Sequence, residues 1–160
     1  GTRFLVAGGY DSIGGAFVVD IQIDGTAADP PPIGMVLRYS KNNGSYTVTP
    51  DAFGADNIAF YGNNDISSDI LSEGTSTTSC LAGALTVVNG ATQRTAAAVP
   101  NVDLTQDDCV VLRYILKLDT DVTPGDTYDL RPYNQNGNVL DAYTVTPRIT
   151  VIDYTAGSGV

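Results

Sequence analysis

Histidine and tryptophan are both absent from the 160-residue chain, which has one methionine and two cysteines. Glu73 is the single glutamate among 18 acidic residues, so the other 17 are aspartates. Without histidine, Ser-His-Asp and Cys-His catalysis are excluded in their usual forms, and a zinc site would need unusual ligands. Without tryptophan, and with aromatics at 8% of the chain, a sugar-stacking platform lacks its best component. Basic residues are scarce, 8 against 18 acids for a net charge of −10, so phosphate backbones are repelled and no nucleic-acid partner is expected. No apolar run approaches the roughly 18 residues of a membrane-spanning helix, so no membrane span is expected. Paired carboxylates serve glycoside hydrolysis, but aspartates scattered over turns become neighbours by chance, and no enzyme is expected.

What is present is a strand-and-turn composition. Aspartate hydrogen-bonds locally at turns and strand ends, whereas glutamate favours helix interiors, and 17 glycines and 8 prolines add to that bias. A hydrophobic fraction of 42% and a mean hydropathy of +0.01 argue for a real core. At this length one domain, residues 1–160, buries roughly two-thirds of its unfolded surface. The chain opens on Gly1, as expected of an exported chain whose signal peptide has been removed, or equally of a trimmed one.

The clearest strand is AFVVDIQID (16–24), with Phe17, Val19, Ile21 and Ile23 on one face, the period of a half-buried strand. RFLVA (3–7) precedes it, and the glycines of GGYDSIGG mark a turn between strands, with no helix N-terminus to cradle a phosphate. GTAADPPP (25–32) breaks regular structure. Strands are expected at 33–40, 45–49, 57–62 and 83–90, with polar connections at 63–80 and 91–108. Residues 109–119 form the longest strand: Val110, Leu112, Tyr114, Leu116 and Leu118 on an apolar face, Val111, Arg113, Ile115 and Lys117 on a mixed one. TPGD (123–126) turns the chain into TYDLRP (127–132), NQNG (134–137) turns it again, and AYTVTPRITVID (142–153) is the last strand, with an edge or bulge at Pro147. The fold class expected is all-β: an antiparallel β-sandwich of jelly-roll type with about nine strands.

Cys80 and Cys109 match no metal spacing and are either a disulfide or two buried thiols, the bridge being favoured outside the cell. Asp119, Asp121 and Asp126 share one loop, for which structural calcium competes with plain turn capping; Asn63, Asn64, Asp65 and Asp69 share another. No other cofactor is expected. NGS at 43–45 is a glycosylation sequon, and also a type I′ turn through Asn43-Gly44.

The stretches AFVVDIQIDG…IGMVLRYS and VVLRYILKLDTDVTPGDTYDLRPYNQNGNVLDAYTVTPRITVID resemble the opening and closing halves of cohesin domains, over residues 1–40 and 109–153. The shared pattern is a long apolar strand, a PGxY-type turn, a strand, an NG turn and a final strand ending in xITV. The resemblance implies a nine-stranded jelly roll and a non-catalytic function at the cell surface or outside the cell, docking a dockerin-like partner. From the strand alternation, Arg38, Ser40, Tyr61, Asn63 and Asn64 are the candidate docking residues. A second class stands beside it: a self-assembling filament or sheath subunit in which Thr2, Arg3, Phe4, Leu5, Val6 and Ala7 complete the sheet of an identical subunit.

Overall fold

The computed structural model describes residues 3–7, 16–25, 32–62, 86–88, 90–140, 142–143 and 145–152. Every regular element among them is a strand: β1 (Arg3–Ala7), β2 (Ala16–Asp24), β3 (Ile33–Lys41), β4 (Thr47–Val48), β5 (Ile58–Phe60), β6 (Thr86–Val87), β7 (Ala91–Gln93), β8 (Asn101–Val102), β9 (Asp108–Leu118), β10 (Thr127–Asn134) and β11 (Arg148–Ile152). They form two sheets. Sheet A runs β1-β11-β10-β3-β4, with β8 also on β3; sheet B runs β2-β9-β5, with β6 and β7 also on β9. Most pairings are antiparallel, and β1–β11, β6–β9 and β7–β9 are parallel.

The core lies between the sheets and is built by the alternation of the longest strands. Met35, Leu37 and Tyr39 of β3 and Tyr128 and Leu130 of β10 face Val19 and Ile21 of β2 and Val110, Leu112, Tyr114 and Leu116 of β9, all buried in one cluster. β2 and β9 pair over nine residues, from Ala16↔Lys117 to Asp24↔Cys109. The mixed face expected of β9 is largely buried too: Val111 is 8% and Ile115 0% exposed. A central strand covered on both sides reads as a continuous apolar run, which is why its alternation is blurred there.

The short strands depart furthest from the sequence expectation. β7 and β8 lie within the stretch read as connection, since ATQ and NV are too short to show a period. The strand expected at 127–132 continues through Pro132 to Asn134, because β11 pairs only with Thr127, Tyr128 and Asp129. Leu130 still donates to the Pro147 carbonyl on that side (3.0 Å). Beyond it no described strand pairs with this edge, so the missing Pro132 N–H breaks no ladder bond among the described residues. The Pro132 carbonyl accepts from the Tyr143 hydroxyl at 2.6 Å. Pro147 sits just before β11, where its carbonyl accepts the Leu130 bond from β10 and its missing N–H breaks no pairing of β11.

Turn chemistry sets the β3 and β10 ends. Asn42 (φ 50°) and Asn43 (φ 61°) both adopt left-handed backbone, and Gly44 donates to the Lys41 carbonyl at 2.9 Å. The type I′ turn therefore falls on Asn42-Asn43, one residue earlier than the sequon suggested. In TPGD, Gly125 has φ 96° and Asp126 donates to the Thr123 carbonyl, a type II turn with Pro and Gly at its two central positions.

Three buried phenols make the sandwich alkali-sensitive. Tyr39 donates to the Asp56 carboxylate (2.8 Å) and Tyr128 to the Asp56 carbonyl (2.7 Å), which fastens the 50–57 loop over the core. Burial, then the Asp56 carboxylate, push the Tyr39 phenol up to about 12; burial also raises Tyr128 and Tyr114. These groups stabilise the fold fully below their unfolded value near 10, and that contribution is lost as pH rises through the folded values. In a 295-nm titration at least three of the nine tyrosines should ionise only with unfolding above about pH 10. Smooth ionisation of all nine near pH 10 with the fold intact would contradict this.

Candidate functional site

On the outer face of sheet A, β3 presents Val36 and Arg38, and β10 presents Asp129, Arg131 and Tyr133, the residues that alternate with the core positions. The β3–β10 register places Arg131 directly opposite Arg38. Like charges at such a cross-strand pair destabilise a sheet, and in a chain with 18 acids and 8 bases a carboxylate between them is the expected remedy. It is missing. Lys41 pairs with Asp126 (3.3 Å), Arg113 with Asp20 (2.7 Å) and Arg148 with Asp129 (2.6 Å); Arg38 and Arg131 have no such ion pair among the described residues.

Tyrosine rings stand where the acid would be. The Arg38 guanidinium lies 4.8 Å from the Tyr133 ring centre, and that of Arg131 lies 5.0 Å from Tyr46 and 4.5 Å from Tyr143. Tyr133 in turn is 5.7 Å from Tyr46 and 6.3 Å from Tyr143. The π faces stabilise the two cations.

The 138–147 connection completes the site. Leu140 N–H donates to the Tyr143 hydroxyl (3.1 Å), and Arg131 Nε donates to Thr146 Oγ1 (2.9 Å). Burial raises the Tyr143 phenol, partly offset by the Leu140 N–H. Burial likewise raises Tyr46, against the Arg131 charge that lowers it. Arg38 Nε is buried with no hydrogen-bond partner. Gly137 (φ 83°) lets the NQNG turn sit against Arg38, since a Cβ there would come 3.2 Å from the guanidinium. Val139 and Val145, 59% and 64% exposed, are in the same connection.

Of the residues singled out from the sequence, Arg38 lies in this cluster. Ser40 is on the same strand but buried, its hydroxyl donating to the Gly44 carbonyl at 2.7 Å. Tyr61 follows β5, in the other sheet, where Lys117 lies 5.7 Å from its ring. Asn63 and Asn64 are outside the described residues. The anticipated docking set is therefore divided between two sheets, because strands 33–40 and 57–62 are not neighbours.

Asp119, Asp121 and Asp126 are not gathered around a common point that a calcium ion would occupy. Asp126 accepts from Asn42 Nδ2 (2.8 Å) and Thr123 N–H (3.1 Å) beside Lys41, contacts that hold its carboxyl below the usual range, the Asn42 bond most of all. Asp119 accepts from Thr120 N–H at 2.7 Å. Among the described residues no group of three His, Cys, Asp or Glu side chains is placed to hold a metal.

Cys109 is fully buried in β9 and is not a free thiol; Cys80 is outside the described residues. Arg3, Phe4, Leu5, Val6 and Ala7 make up β1, paired from Arg3↔Arg148 to Ala7↔Ile152 at the edge of sheet A; Thr2 is outside the described residues.

Sequence reasoning missed Tyr46, Arg131, Tyr133 and Tyr143. Alternation marks Arg131 and Tyr133 as outward, but their meeting with Arg38 depends on a pairing about a hundred residues apart in sequence. No protein-family model matches the chain, and neither a curated protein nor a solved structure matches it.

Proposed function

We propose that this chain is a non-catalytic module, outside the cell or on its surface, that docks a protein partner on the outer face of sheet A, as a cohesin-like jelly roll would receive a dockerin-like module. The observation that carries the reading is the cross-strand pair Arg38–Arg131, held by tyrosines without a carboxylate. Tyrosine and arginine are the residue types enriched at the energetic centre of protein interfaces, and exposed valines in the adjoining connection suit its rim. The face offers no histidine, and burial holds its Tyr46 and Tyr143 phenols above their ordinary value, which suits binding better than proton transfer.

An oxidised cysteine pair fits the same compartment. Cys109 is not free and Cys80 is the one other cysteine, so the reading includes a Cys80–Cys109 bridge. Closing a loop of about 30 residues is worth about 3–4 kcal/mol in the chain-entropy model. Reduction should lower the melting temperature by roughly 10 °C; two titratable thiols in the denatured, unreduced chain would contradict the bridge.

One observation favours a second reading, the self-assembling filament or sheath subunit. Among the described residues β1 pairs with β11 alone, in parallel, at the end of its sheet, which is where a strand exchanged between identical subunits would seat. Light scattering with negative-stain imaging separates the two. A monodisperse particle near 16.7 kDa is expected of the docking module; fibres abolished by deleting residues 1–7, with a folded remainder, would establish the subunit instead.

A further inference from the structure

We infer that the partner reaches this face through carboxylates: the Arg38–Arg131 pair is a binding site for an acidic segment of a protein. The inference rests on the docking reading and names the chemistry of the occupant. The Arg38 guanidinium lies over the Tyr133 ring and that of Arg131 over the Tyr46 and Tyr143 rings, contacts that use no N–H as a hydrogen-bond donor and so leave to a ligand the N–H groups that diverge in each guanidinium plane. Arg131 uses Nε on Thr146, leaving its terminal nitrogens. Arg38 Nε is a buried donor with no acceptor, a state that costs free energy until one arrives. A carboxylate takes two in-plane N–H groups from a guanidinium at once, a geometry suited to arginine. Placed between these side chains it would also remove the like-charge repulsion that the register imposes.

A sugar acid has the same carboxylate, but its ring needs an open aromatic face. Here the Tyr46, Tyr133 and Tyr143 rings are already packed against the guanidinium groups and, tilted, against one another, and Tyr133 is 9% exposed. An extended peptide needs no such platform. The net charge of −10 opposes an acidic partner at long range, yet at physiological salt that field decays over about 8 Å, and the neighbouring Asp129 is neutralised by Arg148. Within that distance the two unpaired cations decide.

The test uses fluorescein-labelled deca-aspartate and a labelled heparin oligosaccharide, titrated separately into the full chain and its Arg38→Gln, Arg131→Gln and Lys117→Gln variants, with a thermal melt of each protein. The expected result is saturable deca-aspartate binding, weakened about tenfold by either arginine substitution, unchanged by Lys117→Gln, and weaker at higher salt, with all variants folded. No saturable binding to the folded wild type, or binding indifferent to both arginine substitutions, overturns the inference. So does heparin binding at the same arginines more tightly than deca-aspartate, which would make the site one for a sulfated polysaccharide. If Arg131→Gln fails to fold, Arg131→Lys replaces it, keeping the charge and losing the planar fork, and weaker binding is again required. A protein partner crosslinked from this face while deca-aspartate fails to bind would sink the carboxylate chemistry alone; failure of both would sink the docking reading as well.

Discussion

Replacing Tyr128 by Ala should lower the unfolding free energy by about 3–5 kcal/mol, as for large buried aromatics in general, and the melting temperature by about 10 °C or more. The side chain is fully buried in β10, its ring centre is 6.5 Å from that of Tyr39, and its hydroxyl holds the Asp56 carbonyl. The substitution thus opens a cavity between the sheets and releases the 50–57 loop together. Tyr128→Phe keeps the ring and loses only the hydrogen bond, which should cost about 1 kcal/mol. Urea unfolding with an unchanged m-value distinguishes the two. Equal losses for Ala and Phe would mean that the hydroxyl, and not the packing, carries the stability.

Gly90→Ala should be nearly as costly, about 3 kcal/mol, at the upper end of overpacking effects. Gly90 precedes β7, and a Cβ there would fall within the carbonyl oxygen of Val111, on the central strand β9, and 3.3 Å from its carbonyl carbon. Backbone of a strand paired on both sides cannot move aside as a flexible side chain does. β7 would have to separate from β9, losing the Ala91↔Leu112 and Gln93↔Tyr114 pairings. Gly54→Ala is the internal control, because a Cβ there meets nothing within 4 Å, and it should stay within about 0.5 kcal/mol of wild type. A Gly90→Ala protein as stable as Gly54→Ala would contradict the packing of β7 on β9.

Much of the fold was legible because its long strands carry strong local signals. β2 was delimited to the residue by the alternation of AFVVDIQID, and β9 and the TPGD turn followed from a long apolar face and a Pro-Gly pair with defined backbone demands. Where local signals are short, reading failed: ATQ and NV carry no period, yet β9 and β3 recruit them as β7 and β8. The strand expected at 127–132 runs on to Asn134, and Pro132 is tolerated within it because the ladder it would have broken stops at Leu130. The candidate site was the least legible part. Arg38 could be placed on an outward face, whereas its meeting with Arg131 and the three tyrosines follows from the β3–β10 register and the return of 138–147. No local pattern encodes either of these.

The docking claim is tested most directly by site-specific photocrosslinking in cells that make the protein, with a photoreactive residue at Val48, opposite Arg38 on the outer face of sheet A, or at Val145 in the adjoining connection, and at Thr86 on β6 of the other sheet, all three exposed. The account predicts one and the same protein adduct from Val48 and Val145, lost in Arg38→Gln/Arg131→Gln, and none from Thr86. Adducts from Thr86 alone, or adducts of twice the chain mass that vanish when residues 1–7 are deleted, would contradict it.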